Sequence, residues 1–338
     1  MLTRSHATRP SAFVTVLALL AGAAVATSAS AATKRRTTPS TTIAPAVPTT
    51  VKGTKGISPA TRDAQGLYKP QGAPPPPAVD FSDGGRITAF PAGQLVTMLI
   101  IGSDARPKEE PTRTRSDSMH LLVWNPVTKK GTLLGIPRDT WVTVGRSKAK
   151  INSVLSAAGP TALVGAVRDL TGVPVEHYVL TGFVGFTSMI NDVGGFNVEI
   201  PRMNDKLSGA QFTGGWYKVN GDAALAIARN RHDAPAGDFG RSKNQGVLLL
   251  AMLTQMRSGT TSPADLVRLL GTFSKYGRTD LSTAQLLDFA LLARGIDPSQ
   301  LANIVVPARN AKAGKAAIVL VEPAAAALFE RIRTTGSP

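Results

Sequence analysis

The stretch "LVTMLIIGSDARPKEEPTRTRSDSMHLLVWNPVTKKGTLLGIP", residues 95–137, holds three apolar runs of strand length separated by turn residues. Residues 95–102, 119–125 and 131–137 read as strands buried on both faces. The same pattern recurs at 176–181, 196–200 and 302–307. Between these runs, 159–172 and 182–195 have helical spacing and end on glycine, and further helices are expected over 221–229, 242–257, 263–275 and 282–293. Such interleaving predicts the α/β class: a single three-layer α/β/α domain of about 240 residues with a central mixed sheet and helices on both faces.

Upstream of this domain the chain changes character twice. Arg4 and Arg9 precede an uncharged run from Ser11 to Thr33, with small residues at 29–31 and a basic cluster after it. Residues 1–32 read as a signal peptide, or as an uncleaved membrane anchor whose basic end stays cytoplasmic. Either way the remainder is expected outside the cytoplasm, in the cell envelope. Residues 33–91 hold 10 of the 24 prolines together with many threonines, a composition that cannot bury enough apolar surface to order itself. That segment is expected to be a disordered linker, ordered at most near 81–90, and residues 92–338 the functional domain.

Composition removes whole classes of chemistry. With no cysteine there can be no disulfide, thiolate metal site or cysteine nucleophile. Of four histidines, His6 lies in the leader, His120 in a buried strand suited to a core histidine, and His177 and His232 elsewhere. His232 is the better placed as a base. The net charge is +16, and residues 1–90 carry ten basic residues against three aspartates, so the domain keeps a surplus of its own.

That surplus is concentrated where strands end. The first strand is followed by Asp104, Arg106, Arg113, Arg115 and Asp117, and the third by Arg138 and Asp139. A later segment, "ALAIARNRHDAPAGDFGRSKNQ" (224–245), adds Arg229, Arg231, Arg241 and Gln245 beside Asp233 and Asp238. Ligand sites of open α/β sheets gather beyond strand ends, and the planar guanidinium matches phosphate oxygens bidentately. An anionic, phosphorylated ligand is expected. Each piece also has a plain structural reading: Asp104 as a turn residue, Arg115 with Asp117 and Arg138 with Asp139 as ion pairs, Arg241 with Gln245 as one solvated helix face. Arg229 and Arg231 would diverge on a helix, so the helix from Gly221 must end between them if both serve one ligand.

Taken together and in order, "LIIGSDAR", "RSDSMHLLVW", "GIPRDTWV", "KINSVLSAAGP", "HYVLTGFVGFTSMINDVGGFNVEIP", "VNGDAALAIARNR" and "DFGRSKNQ" resemble the LytR-CpsA-Psr family of cell-envelope enzymes over about residues 95–257. The resemblance implies transfer of a glycan phosphate from a polyprenyl-pyrophosphate-linked glycan at the membrane surface to a peptidoglycan acceptor. The glycan would be arabinogalactan in mycolate-type walls and teichoic acid or capsule elsewhere. By the same resemblance Asp104 and Asp117 match the Mg²⁺-binding aspartates, while Arg115, Arg138, Arg229, Arg231 and Arg241 match pyrophosphate-contacting arginines and Gln245 a neighbouring glutamine. Asp104, Asp117 and Arg138 are thereby the expected catalytic groups, with the general base open between the two aspartates. An apolar groove for the lipid is expected along the helices 182–195 and 161–170.

One position departs from the pattern: Asn244 stands where the family usually has another arginine, so Lys243 would have to substitute or binding would weaken. Three rival readings remain. A non-catalytic binder of lipid phosphate or glycan is favoured by Asn244, and a polyprenyl pyrophosphatase differs only in lacking an acceptor. A nucleic-acid-binding regulator would use the positive charge, but no nucleic acid is expected, given the export signal and the lack of recognition motifs.

Overall fold

Successive residues of a strand project to opposite faces, and the first strand, β1 (Val96–Ser103), uses both. Leu99 and Ile101 enter one core and Val96 and Met98 another, each at most 2% exposed. A strand so placed needs cover on both sides. The computed structural model, which describes residues 63–65, 67–70, 93–231, 237–259 and 263–338, supplies it. The leader over 1–32, the 81–90 end of the linker and His232 lie outside the described residues.

β1 pairs antiparallel with β2 (Ser116–Asn125), and β2 with β3 (Lys130–Gly135). Their turn is set by Asn125, whose Oδ1 accepts from the backbone of Val127 and Thr128 at 3.0 and 3.1 Å, a local bond that favours asparagine in turns. A hairpin of β4 (Trp141–Val144) and β5 (Ser147–Lys150) leads into α1 (Ile151–Thr171). This helix breaks at Gly159, whose φ of 81° suits a residue without Cβ, directly before Pro160. The chain returns as β6 (Tyr178–Thr181), parallel to β1, and continues into α2 (Phe183–Asp192).

Next come two ribbons. Among β7 (Phe196–Ile200), β8 (Met203–Asp205), β9 (Ala210–Phe212) and β10 (Gly215–Val219), β7 pairs with β10 and β8 with β9. α3 (Gly221–Arg229) closes over them, capped by Asn220. The remaining elements are α4 (Asp238–Gly259), α5 (Pro263–Tyr276), β11 (Gly277–Thr279), α6 (Thr283–Gly295), β12 (Leu301–Val305), the hairpin β13 (Ala308–Ala313) with β14 (Ala316–Val321), and α7 (Ala324–Thr335).

The central sheet has the order β11-β6-β1-β2-β3-β12. β1, β3, β6 and β12 run one way and β2 and β11 the other, so the sheet is mixed and four carboxyl ends share one rim. α1 and α7 cover one face, burying Leu163, Val167, Phe329 and Ile332 against Leu99, Met119 and Leu121. α4 and α6 cover the other, packing Leu253 and Phe289 against Met98, Leu122 and Leu133. The three-layer architecture expected from the sequence is the one observed. A further core joins the ribbons to α2, α3 and Leu248 of α4.

Part of the stretch read as linker lies on that further core. Leu67 is fully buried, and Tyr68 bridges to Phe212 and accepts from the Tyr217 hydroxyl at 2.7 Å. Main-chain bonds hold it there as well, from the Tyr68 N–H to the Gln211 carbonyl at 2.8 Å and from the Thr213 N–H to the Tyr68 carbonyl at 3.0 Å.

Candidate active site

The acidic and basic side chains that follow β1 and β3, and those at the start of α4, meet at the rim of carboxyl ends. The β1–β2 ladder shifts register there: Gly102 faces Ser118 but Ser103 faces Ser116. Asp117 is the extra residue of this bulge, a device that re-aims a side chain at a sheet edge. Asp104 lies beside it, its N–H donating to the Arg115 carbonyl and its Oδ1 accepting from the Arg115 N–H, both at 2.9 Å.

Arg138, just past β3, donates from Nη1 to both Asp117 oxygens at 3.0 and 2.9 Å. Its Nε lies 3.7 Å from Asp238 Oδ1, and Arg241 Nη2 reaches the same oxygen at 2.5 Å. The result is an alternating chain, Asp117–Arg138–Asp238–Arg241, across three elements. Burial opposes the charge on Arg138, but Asp117, Asp238 and Asp139 outweigh it and raise its pKa. Arg241, 5% exposed, is pushed the other way: burial lowers its pKa, Asp238 offsets this in part, and Arg138 and Arg231 add to the lowering. An anionic ligand arriving here would relieve that crowding.

The other expected groups fall into place around this chain. Gln245 donates from Nε2 to the Ala228 carbonyl at 3.0 Å and the Asp117 carbonyl at 3.4 Å. α3 ends at Arg229, Asn230 is extended (φ −59°, ψ 125°), and the Arg231 N–H is caught by the buried Asp205 carboxylate at 3.3 Å. The helix thus stops where two arginines serving one ligand require it to. Arg229 lies 5.3 Å over the Phe183 ring. Arg115 is exposed and stands on the outer side of Arg138 rather than among Arg229, Arg231 and Arg241.

Of two neighbours, Lys243 closes one of the alternatives the sequence leaves open, and His120 is the core histidine the sequence suggests. Lys243 cannot replace the arginine that Asn244 lacks, because its Nζ donates to the Asn303 carbonyl on β12 while the Asn303 amide donates back to the Lys243 carbonyl at 3.2 Å. His120 is a core residue: Nε2 contacts the Ser242 carbonyl at 3.0 Å, Nδ1 the Ser118 hydroxyl at 3.4 Å, and burial lowers its pKa to about 4. His177 pairs with Asp280 at 3.0 Å beside the amino end of β6, at the opposite rim.

Below the arginines lies an apolar cavity of about 320 Å³. The sheet contributes Ile100, Leu122 and Val179, α2 contributes Phe183, Phe186 and Met189, and α4, α5 and α6 contribute Leu253, Phe273 and Phe289. Its polar end carries Asp117, Ser118, Arg229, Arg241 and Gln245. The expectation that 182–195 lines a groove holds. The matching expectation for 161–170 is corrected, since Leu163, Val164 and Val167 face the opposite side of the sheet; an apolar helical stripe does not say which face of a two-sided sheet it covers.

Asp238 was read only as a neighbouring carboxylate, and the geometry makes it the joint between Arg138 and Arg241. Its spacing of three residues before Arg241 at a helix start was the available signal.

Residues 80–334 match the LytR_cpsA_psr family. This chain is a member of that family. Over 232 residues it is 31% identical to the polyisoprenyl-teichoic acid–peptidoglycan teichoic acid transferase TagV of Bacillus subtilis (strain 168), a match covering 65% of this chain and 59% of that relative. The chain thus spans about three fifths of that relative's length. The crystal structure of B. subtilis TagV superposes with a TM-score of 0.60 at 27% identity, covering 72% of this chain and 96% of that one. Protein gbs0355 from Streptococcus agalactiae gives 0.62 at 23% identity over 71% and 86%, a likeness of fold. This LytR_cpsA_psr member therefore has the fold of its relatives, with the arginine cluster at the sheet rim where α/β folds place ligands.

Proposed function

We propose that this LytR_cpsA_psr protein transfers a glycan phosphate from a polyprenyl-pyrophosphate carrier to a hydroxyl of peptidoglycan, outside the cytoplasm at the membrane surface. The observation that carries this reading is the junction of an apolar cavity with an arginine cluster, which is complementary to an amphiphile with a hydrocarbon tail and a phosphate head. The names of the relatives, polyisoprenyl-teichoic acid–peptidoglycan teichoic acid transferases, support the same chemistry.

In this reading Arg229, Arg231 and Arg241 bind the pyrophosphate, Arg138 orients it, and Gln245 fixes the first turns of α4 against β2 and α3. Phosphoryl transfer is mainly positioning and charge stabilisation, which suits a site rich in arginine and free of cysteine. Among the described residues no three or more potential metal-ligating side chains cluster. A Mg²⁺ site built from two carboxylates is nevertheless compatible with the donor set, since Mg²⁺ keeps waters and takes substrate phosphates as ligands. The buried Ser103 hydroxyl, which makes no hydrogen bond, precedes Asp104 in the chain and lines the apolar cavity together with Asp117. Asp104 and Asp117 would hold the ion, and it would supply further neutralisation of phosphate charge.

The second reading, a non-catalytic binder, gains from Lys243 facing Asn303, because the cation missing at Asn244 is not replaced. Purified full chain with a synthetic polyprenyl-pyrophosphoryl sugar and peptidoglycan fragments, in Mg²⁺ or EDTA, separates them. Mg²⁺-dependent release of polyprenyl phosphate with formation of acceptor-linked sugar phosphate, lost in Asp117→Ala and Arg138→Ala, is the expected result. Lipid binding without either product would make the protein a binder.

A further inference from the structure

The Asp117–Arg138 pair joins two recesses whose linings share no residue. Asp117 lines the apolar cavity, whereas Arg138 lines a polar recess of about 460 Å³ on the other side. Five other polar side chains converge there: Arg115 before β2, Asp139 after β3, Lys150 at the end of β5, and Asn152 and Ser153 in the first turn of α1. The recess is built rather than incidental. The Asn152 N–H donates to the Arg138 carbonyl at 3.1 Å, Ser153 Oγ donates to the Lys150 carbonyl at 2.7 Å, and Lys150 pairs with Asp139 at 3.0 Å. Among the described residues Arg115 makes no ion pair, and it is exposed at the edge.

We infer that this recess is the acceptor subsite, taking the hydroxyl-bearing sugar of the acceptor with a carboxylate of that acceptor facing Arg115 and Lys150. The inference rests on the phosphotransfer reading and deepens it. Displacement at phosphorus is in line, so the attacking and leaving oxygens lie on opposite sides of the phosphorus. The lipid phosphate leaves toward the apolar cavity, and the nucleophile must therefore enter from the far side of Arg138, which is this recess. An acceptor oxygen forms its bond to the sugar-linked phosphorus, the bond from that phosphorus to the bridging oxygen breaks, and the electron pair departs with the polyprenyl monophosphate. The hydroxyl proton passes to solvent water at the open recess. The donor glycan stays on the same phosphorus, roughly perpendicular to that line, and does not compete for the recess. The neutral Asn152 amide and the Ser153 hydroxyl oxygen, whose own proton goes to the Lys150 carbonyl, together with one uncompensated cation suit a hydroxyl-rich, carboxylate-bearing sugar better than a bare phosphate.

Lys150→Glu and Ser153→Tyr test this, one reversing charge and one filling space, neither among the pyrophosphate-binding groups. With full chain, the KM for a soluble muramyl-peptide fragment should rise about tenfold or more in both. The donor KM and the acceptor-independent release of polyprenyl phosphate to water should stay within about twofold. Equal loss of transfer and water hydrolysis, a change in donor KM, or an unchanged acceptor KM would overturn the inference while leaving phosphotransfer intact. Direct titration of the fragment into the lipid-free chain gives the independent readout. Should the wild type transfer nothing, the phosphotransfer reading fails, and binding that both variants abolish keeps the recess as a glycan site while unchanged binding removes it.

Discussion

Losing the Arg138 guanidinium takes a partner from two carboxylates at once, Asp117 at 2.9 Å and Asp238 at 3.7 Å. Lysine keeps the charge but offers a single point donor in place of a planar fork, so Arg138→Lys should retain less than about a tenth of transfer activity while folding normally, as read by lipid-phosphate release beside a thermal melt. His120 makes a different statement about pH. Burial holds its folded pKa at about 4 against an ordinary 6.5, so the unfolded chain takes up a proton that the native state refuses. Its contribution is complete above pH 6.5 and is lost as pH falls toward 4, amounting to about 3 kcal/mol. Urea midpoints at pH 7, 5.5 and 4.5 should therefore fall more steeply for the wild type than for His120→Gln. Equal slopes would mean that other groups carry the acid sensitivity.

Helix α4 meets the sheet through a contact that leaves no room for a methyl group. A Cβ on Gly135 would lie 2.5 Å from Ser242 Oγ and 3.2 Å from His120 Nε2, so Gly135→Ala must turn the Ser242 hydroxyl aside or lift the first turn of α4 and with it Arg241 and Gln245. A loss of about 1–3 kcal/mol is expected, with a larger proportional loss of activity, and Ser242→Ala added to it should restore part of both. This contact was not legible in the residues, because nothing in "GIPRDTWV" or "GRSKNQ" says that Gly135 lies under Ser242. Five of the six strands of the central sheet and most helices were legible, since buried runs such as 95–102 and glycine stops such as Gly172 are local signals, whereas β11 and the hairpins β4–β5 and β13–β14 were not. Asp104 and Arg138 were readable as rim residues because they directly follow strands, and Asp117 because it ends the segment that joins the first strand to the second. Of the ribbons only β7 was read; β8 and β9 escaped, as they are three residues each and too short for alternation to register, and β10 escaped with them. The face chosen by 161–170 escaped too, for an apolar stripe packs equally well on either side of a two-sided sheet, and the choice is made by the rest of the molecule.

Taken whole, the molecule divides its work by polarity: an apolar interior beside α2, α4, α5 and α6, a charged rim, and a polar recess beyond it. Narrowing the interior with Leu253→Trp should raise the KM for a long-chain polyprenyl donor several-fold and leave a short-chain analogue nearly unchanged, because only the longer tail reaches that depth. If both donors suffer alike, the tail does not use this cavity. The cavity also bears on stability. Walls of leucine, phenylalanine and methionine around about 320 Å³ would gain dispersion contacts from any hydrocarbon chain that fills them, so a ligand of that kind would be thermodynamically linked to folding. A ligand at one hundred times its Kd adds about 2.7 kcal/mol to the native state. Melting temperature should climb with the concentration and chain length of any amphiphile that enters, detergent included, and preparations differing only in detergent will differ in apparent robustness.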